Sequence, residues 1–277
     1  MIRNRRTIGG ELLFDGIGIH SGERSSVRMA PLSDGHGVRF TFGGRSYGIE
    51  DAQSVDSRRN TEVLFPDGTV LRTVEHLLAA IAGVGLDDVL IEVDGTEIPI
   101  LDGSALPFAQ GILEMGFADK GDEYIPRSIT APVCIDSGKS SIVAIPSEEL
   151  RITYVIDYPG TAIGTEMKDV LITTETFLSD IAPARTFGLL SEVEALQKSG
   201  LGLGGDLENV IIIGEDGPLN TVGYKIKSEC AAHKITDLLG DLALVGTILC
   251  AHYICVCGGH WLHSKLALRL KRLIEAN

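Results

Sequence analysis

The sequence predicts an α+β fold built in two units, and three observations carry that prediction. Short β-rich runs separated by Gly, Asp and Ser turns fill the first 70 residues, after which the hydrophobic period lengthens to that of a helix. The order helix, strand, glycine turn, helix then closes each half of the chain. Between the halves lies the polar stretch Asp119-Lys120-Gly121-Asp122-Glu123, a boundary that divides the chain into 1–120 and 124–277. No residue-level repeat accompanies this order, so duplication rests on the succession of elements alone.

Gly16 to His20 and Gly37 to Phe42 read as the first strands. Thr73-Val74-Glu75-His76-Leu77 opens a helix capped by Thr73, apolar at 74, 77, 78 and 81, that ends near Gly83 or Gly85. A strand over 88–93 follows, then a turn around Asp102-Gly103-Ser104 and a helix through Phe108, Ile112 and Leu113. In the second half, 131–135, 141–145 and 152–156 read as strands. The end of the chain is a helix over 229–245, a strand over 250–257, a Gly258-Gly259 turn and a helix carrying Leu262, Leu266, Leu270 and Leu273. The run Gly200 to Gly205 has the spacing of a dinucleotide fingerprint, but a helical segment precedes it and a strand follows, the reverse of the order such a fold needs.

The 277 residues are 44% hydrophobic, ample for a core, and carry 24 basic against 38 acidic side chains, a net charge of −14. That balance argues against a nucleic acid or an anionic membrane as the main partner, but not against a small phosphorylated ligand held by local cations. No stretch of 18 uninterrupted apolar residues predicts a transmembrane segment, and the basic start runs into polar residues, so the expected location is cytoplasmic. Five cysteines do not make a disulfide framework. Cys255 and Cys257 alternate within an apolar run, which places both on one face of a strand rather than in a metal site.

Chemistry concentrates on two helices. His233, Asp237 and Asp241 fall at i, i+4 and i+8 of one stripe, with Ile235, Leu238, Leu239 and Leu242 on the other side. Glu75 and His76 lie in the opening turn of the earlier helix, where the dipole favours an ionised Glu and a neutral His. They point about 100° apart, so one can bind a metal while the other reaches a water bound to it. Two His and one Asp leave a fourth position open, the catalytic zinc arrangement. Taken singly, a Glu-His pair is common, and His-x-x-x-Asp is more often a surface ion pair. His260, after Gly258-Gly259, could be a mobile proton donor or a plain helix-capping residue, and Thr186 could meet an oxyanion or only its own backbone. His20 stays outside the catalytic set.

Together, Thr73 to Leu77, Ile98 to Ser104, Ala184-Arg185-Thr186-Phe187-Gly188, Gly200 to Gly205, His233-Lys234 with Asp237 and Gly240-Asp241-Leu242, and Gly259-His260 resemble the zinc-dependent UDP-3-O-acyl-N-acetylglucosamine deacetylases of lipid A biosynthesis. The match runs from Gly16 to about Leu270 in the family order. The resemblance implies two domains, each packing helices against a sheet, with the helices sandwiched between the sheets and the active site at the domain interface. It implies zinc, or iron in the cell, on His76, His233 and Asp237. It also implies Glu75 as general base, His260 as second catalytic group oriented by Asp241, and Thr186 at the oxyanion. Phe187 and Lys234 would contact the nucleotide-sugar, and Leu190, Val193, Gly205 and Leu207 the acyl chain. The reaction implied is hydrolysis of the acetamide, the leaving amine taking its proton from His260 or Glu75. The substrate is the partner; no protein partner is expected. Ala232, Asp206, Trp261 and His263 depart from residues common in the family, and a family His is absent near Asp157-Tyr158-Pro159-Gly160; all are expected on the substrate side. They motivate one alternative, an amidohydrolase of another acylated amino-sugar; a second, of another class, is a non-catalytic zinc or nucleotide-sugar binder that retains the fold.

Overall fold

The strands of the first half show period-two burial: Ser25, Val27 and Met29 are buried in Arg24–Ala30, whereas Arg24 is exposed. The computed structural model describes residues 3–42, 44–55 and 59–275. It assembles a five-stranded sheet in the order Leu12–Ile17, Arg24–Ala30, Val89–Asp94, Val38–Phe42, Arg45–Gly48. The strand latest in sequence, Val89–Asp94, lies at the centre, antiparallel to Arg24–Ala30 and parallel to Val38–Phe42.

The second half repeats this topology. Its sheet runs Val133–Asp136, Ser141–Pro146, Leu249–Val256, Arg151–Tyr158, Gly164–Leu171, with Arg127–Ser128 added beside Leu249–Val256. Again the latest strand is central, antiparallel to the second and parallel to the third. In each half the last α-helix before the central strand (Glu75–Gly83; Glu229–Leu242) is matched by one that follows it (Leu106–Met115; His260–Glu275). The succession of elements legible in the sequence is therefore a repeated strand order.

Contacts run from sheet to sheet through these four helices. Leu106–Met115 packs on Leu12–Ile17 and on Glu75–Gly83, which packs on Glu229–Leu242. That helix in turn packs on Arg151–Tyr158 and on His260–Glu275, which reaches Val133–Asp136. One apolar cluster, including Val27, Phe40, Leu78, Leu238 and Tyr253, is continuous across both halves. At the crossing of the two central helices Gly240 meets the Glu75 backbone: a Cβ there would lie 2.1 Å from the Glu75 carbonyl oxygen. Only glycine allows that approach.

Three expectations change. Thr73 does not cap its helix; it adopts a left-handed backbone (φ 57°), and its hydroxyl donates to Glu97 at 2.8 Å. The polar boundary stretch forms part of a strand, Phe117–Tyr124, antiparallel to Arg3–Ile8, because Arg3, Arg5 and Lys120 find acidic partners at Asp87 and Asp88. Cys257 leaves its strand in a left-handed conformation, so only Cys255 faces the core; all five cysteines are free. In addition, Glu229–Leu242 is buried all round except at Lys234, so its polar stripe lies inside the protein, against another helix.

Candidate metal and catalytic site

Glu75–Gly83 and Glu229–Leu242 bring the predicted polar residues together. His76, His233 and Asp237 are buried, and one ligand atom from each lies within 4.8 Å of the others. Asp237 Oδ1 stands 3.3 Å from His233 Nε2 and 3.8 Å from His76 Nε2. The Nδ1 of His233 is 3.1 Å from the Ala184 carbonyl, which accepts its proton and frees Nε2 for a ligand role. The Nδ1 of His76 is buried and has no hydrogen-bond partner among the described residues. Burial, with the neighbouring His233, pushes His76 down to about 3 and also keeps His233 neutral. Asp237, which burial alone would raise, is held well below the usual carboxylate range by Lys234 and the surrounding imidazoles. Two neutral imidazoles and one carboxylate fit a divalent cation of borderline softness.

Glu75 and His260 flank this group. The Glu75 Oε2 accepts the Thr61 N–H at 3.1 Å, and its Oε1 is 3.9 Å from His260 Nε2. Burial raises its carboxyl to about 8, against the pull of His260. His260 Nε2 is also 3.7 Å from Asp237 Oδ2. Burial would lower the His260 imidazole, but the charges of Asp241 and Asp237 outweigh it and lift it to about 9. Its Nδ1 is 3.0 Å from Asp241 Oδ2.

A family model described as UDP-3-O-acyl N-acetylglycosamine deacetylase matches residues 5–272. The chain belongs to this family. Among relatives named UDP-3-O-acyl-N-acetylglucosamine deacetylase, that of Syntrophotalea carbinolica is 37% identical, over 95% of this chain and 86% of its own length. That of Trichormus variabilis is 38% identical over 97% of this chain and 99% of its own. That of Leptospira biflexa is 36% identical over 99% and 92%. A deacetylase is a hydrolase, so the chain is an enzyme.

Around the metal-capable group this deacetylase places Phe187, whose ring centroid is 6.3 Å from that of His233 and under the Lys234 ammonium at 5.4 Å. Lys234 Nζ donates to Asp237 Oδ2 at 2.8 Å, leaving Oδ1 facing the imidazoles. Thr186 is half-buried and fixed through its backbone to Gly103 and Ile211. The buried Arg185–Glu229 pair, 2.9 Å, ties this segment to the start of Glu229–Leu242. Leu190 and Leu207 are exposed and Val193 half-buried, all outside the buried group. Gly205 borders a second apolar cluster of Ile19, Ile100 and Val210, where Gly204 N–H donates to the Ile19 carbonyl at 3.0 Å.

Two departures expected on the substrate side are instead core residues: Ala232 and His263 are fully buried. Trp261 lines a surface groove with Val55 and Leu268, its ring facing Lys265. Sequence reasoning missed Thr61, whose hydroxyl donates to Asp241 Oδ1 and lies 3.0 Å from His260 Nδ1, and Glu97, which accepts from the His20 and Ser21 backbone and from Thr73. Neither sits in a motif; both act through folding-dependent contacts.

Proposed function

We propose that the enzyme hydrolyses the N-acetyl group of UDP-3-O-(3-hydroxyacyl)-N-acetylglucosamine, giving acetate and the free amine, as an early cytoplasmic step of lipid A biosynthesis. The observation that carries this reading is the convergence of His76 with His233 and Asp237, from the two halves of the chain, next to Glu75 and His260. In this reading the units 1–120 and 124–277 each supply part of one site. His76, His233 and Asp237 hold Zn2+, or Fe2+ in the cell, since the donor set suits both. When bound, such an ion lowers the pKa of a coordinated water towards ~7 and polarises a carbonyl.

The remaining work falls to side chains. Glu75 removes the proton of the attacking water, its carboxyl brought by burial close to neutral pH, where it can both take and return a proton. His260, protonated and backed by Asp241, faces the oxyanion with Thr186 and then gives its proton to the leaving amine. Phe187 and Lys234 meet the nucleotide-sugar, and Leu190, Val193, Gly205 and Leu207 border the acyl chain, which contributes ~0.8 kcal/mol per methylene buried.

The test is metal content measured beside acetate release from the UDP-linked substrate. About one metal ion per chain and release that stops on chelation are expected. Glu75→Ala should keep its metal while turnover falls ~10²–10⁴-fold. A chain that binds the metal normally but releases no acetate would overturn the reading, and equal rates on acylated and non-acylated substrate would remove the acyl groove from it.

A further inference from the structure

Behind His260 the buried polar groups continue into the core of the second half. Asp241 Oδ2 is 3.0 Å from His260 Nδ1 and 2.8 Å from His263 Nδ1, while Oδ1 accepts the Thr61 hydroxyl. His263, fully buried one turn after His260, has its Nε2 2.9 Å from the Tyr154 hydroxyl on the central part of the second sheet. Both ring nitrogens are therefore engaged. Asp241 is ionised in spite of its burial because His260 and His263 donate to it, so Nδ1 of His263 carries the proton and Nε2 accepts from Tyr154. Burial keeps this imidazole neutral.

The surroundings are built around that arrangement. A Cβ on Gly258 would come 2.3 Å from Cys255 Sγ, 2.9 Å from the Tyr154 hydroxyl and 3.4 Å from His263 Nε2. The glycine turn that precedes His260 thus also makes room for the Tyr154–His263 bond. A buried carboxylate is costly unless donors fill its lone pairs. Three do so here: Thr61, His260 and His263. Because one oxygen accepts from both imidazoles, rotation of the carboxylate breaks both bonds together.

We propose that His263 is a positioning residue: its Nδ1–H holds the Asp241 carboxylate in the orientation that directs His260 Nε2 into the site. This rests on the role given to His260 in the proposed hydrolysis. Asparagine can put its amide nitrogen where Nδ1 stands, whereas glutamine reaches only the place of Nε2. His263→Asn should retain kcat within about threefold, and His263→Gln should lower it about 10- to 100-fold, with KM and metal content unchanged. Equal losses in the two variants, or a wild-type kcat in His263→Gln, overturn the proposal. ¹⁵N NMR of the histidine-labelled wild-type enzyme reads the tautomer without any substitution. A proton on Nδ1 of His263 supports the proposal; a proton on Nε2, or a charged ring, overturns it. Should His263→Gln not fold, His263→Asn and the wild-type ¹⁵N spectrum decide: a kcat lowered about 10-fold or more in a folded, metal-loaded His263→Asn overturns the proposal. A wild-type enzyme that releases no acetate counts against the proposed hydrolysis, while the NMR result still decides where the proton sits.

Discussion

Each ionisable side chain in the site is set by its neighbours rather than by its type. Glu75 and Asp237 are both buried carboxylates, yet one is raised to about 8 and the other held far down, because Lys234 bonds directly to Asp237 while Glu75 accepts only a backbone N–H. Thr61 joins Glu75 to a third buried carboxylate: its N–H goes to Glu75 and its hydroxyl to Asp241. Thr61→Val keeps the first bond and removes the second, leaving a buried carboxylate oxygen short of a donor. The expected loss is ~1–3 kcal/mol, read as a lower urea midpoint with an unchanged slope. An unchanged midpoint would show that Asp241 needs no help from Thr61. Asp237→Asn keeps the size of the side chain but weakens the donor set, so metal content after dialysis should fall while the fold, followed by circular dichroism, persists. The residue types for this site were legible in the sequence. Their protonation was not, since it depends on burial and on partners as distant in sequence as Thr61 and Asp241.

At the scale of elements, the site depends on how closely two helices approach. Gly240 sets that distance, and the atoms a Cβ would strike belong to backbone that cannot rotate away. Gly240→Ala should cost ~1–3 kcal/mol of stability, as overpacking does, and weaken metal binding by moving Glu75–Gly83. A variant with wild-type Tm and metal affinity would contradict this. The pairing of Arg3–Ile8 with Phe117–Tyr124 is fixed differently, through Arg5 and Lys120 on Asp88. Burial would raise the Asp88 carboxyl, but the bonds from Arg5 and from the Gly37 N–H outweigh it and hold it below its ordinary value. A depressed folded pKa stabilises above the unfolded value of ~4 and is lost as pH falls through the folded one. Asp88→Asn should therefore be less stable than wild type at neutral pH, and the gap should close below about pH 4. A gap that widens in acid would reverse the assignment. Helices and central strands were readable because their periodicity is local. The strand over the polar stretch was not, because Lys120 pairs with Asp88 and Asp119 with Asn4, residues some 30 or more positions away.

Across the whole molecule, two repeats of one topology meet through equivalent helices, and the metal-capable group takes His76 from one and His233 and Asp237 from the other. An ion held by these three residues would therefore clasp the two halves together. Its removal should lower Tm by an amount that grows with metal excess, as RT ln(1 + [L]/Kd) requires, about 4 kcal/mol at 1,000 Kd. Hydrogen exchange should rise most in Glu75–Gly83 and Glu229–Leu242. Faster exchange confined to the outer strands would argue against the clasp. The net charge of −14 has little reach into this region, where Lys234 and His260 set the local field.

By itself the sequence determined the α+β class, the order of elements in each half, and the residues from which a metal site and its acid and base could be drawn. These follow from hydrophobic period, glycine turns and the spacing of His, Asp and Glu along a helix, all local properties. Only the tertiary structure decided that the order of elements is a repeated sheet topology, and that Thr73 supports Glu97 instead of a helix end. It alone showed that His263 and Ala232 lie in the core. Those outcomes hang on contacts between residues far apart in the chain, and burial there reverses the ordinary preferences of ionisable groups.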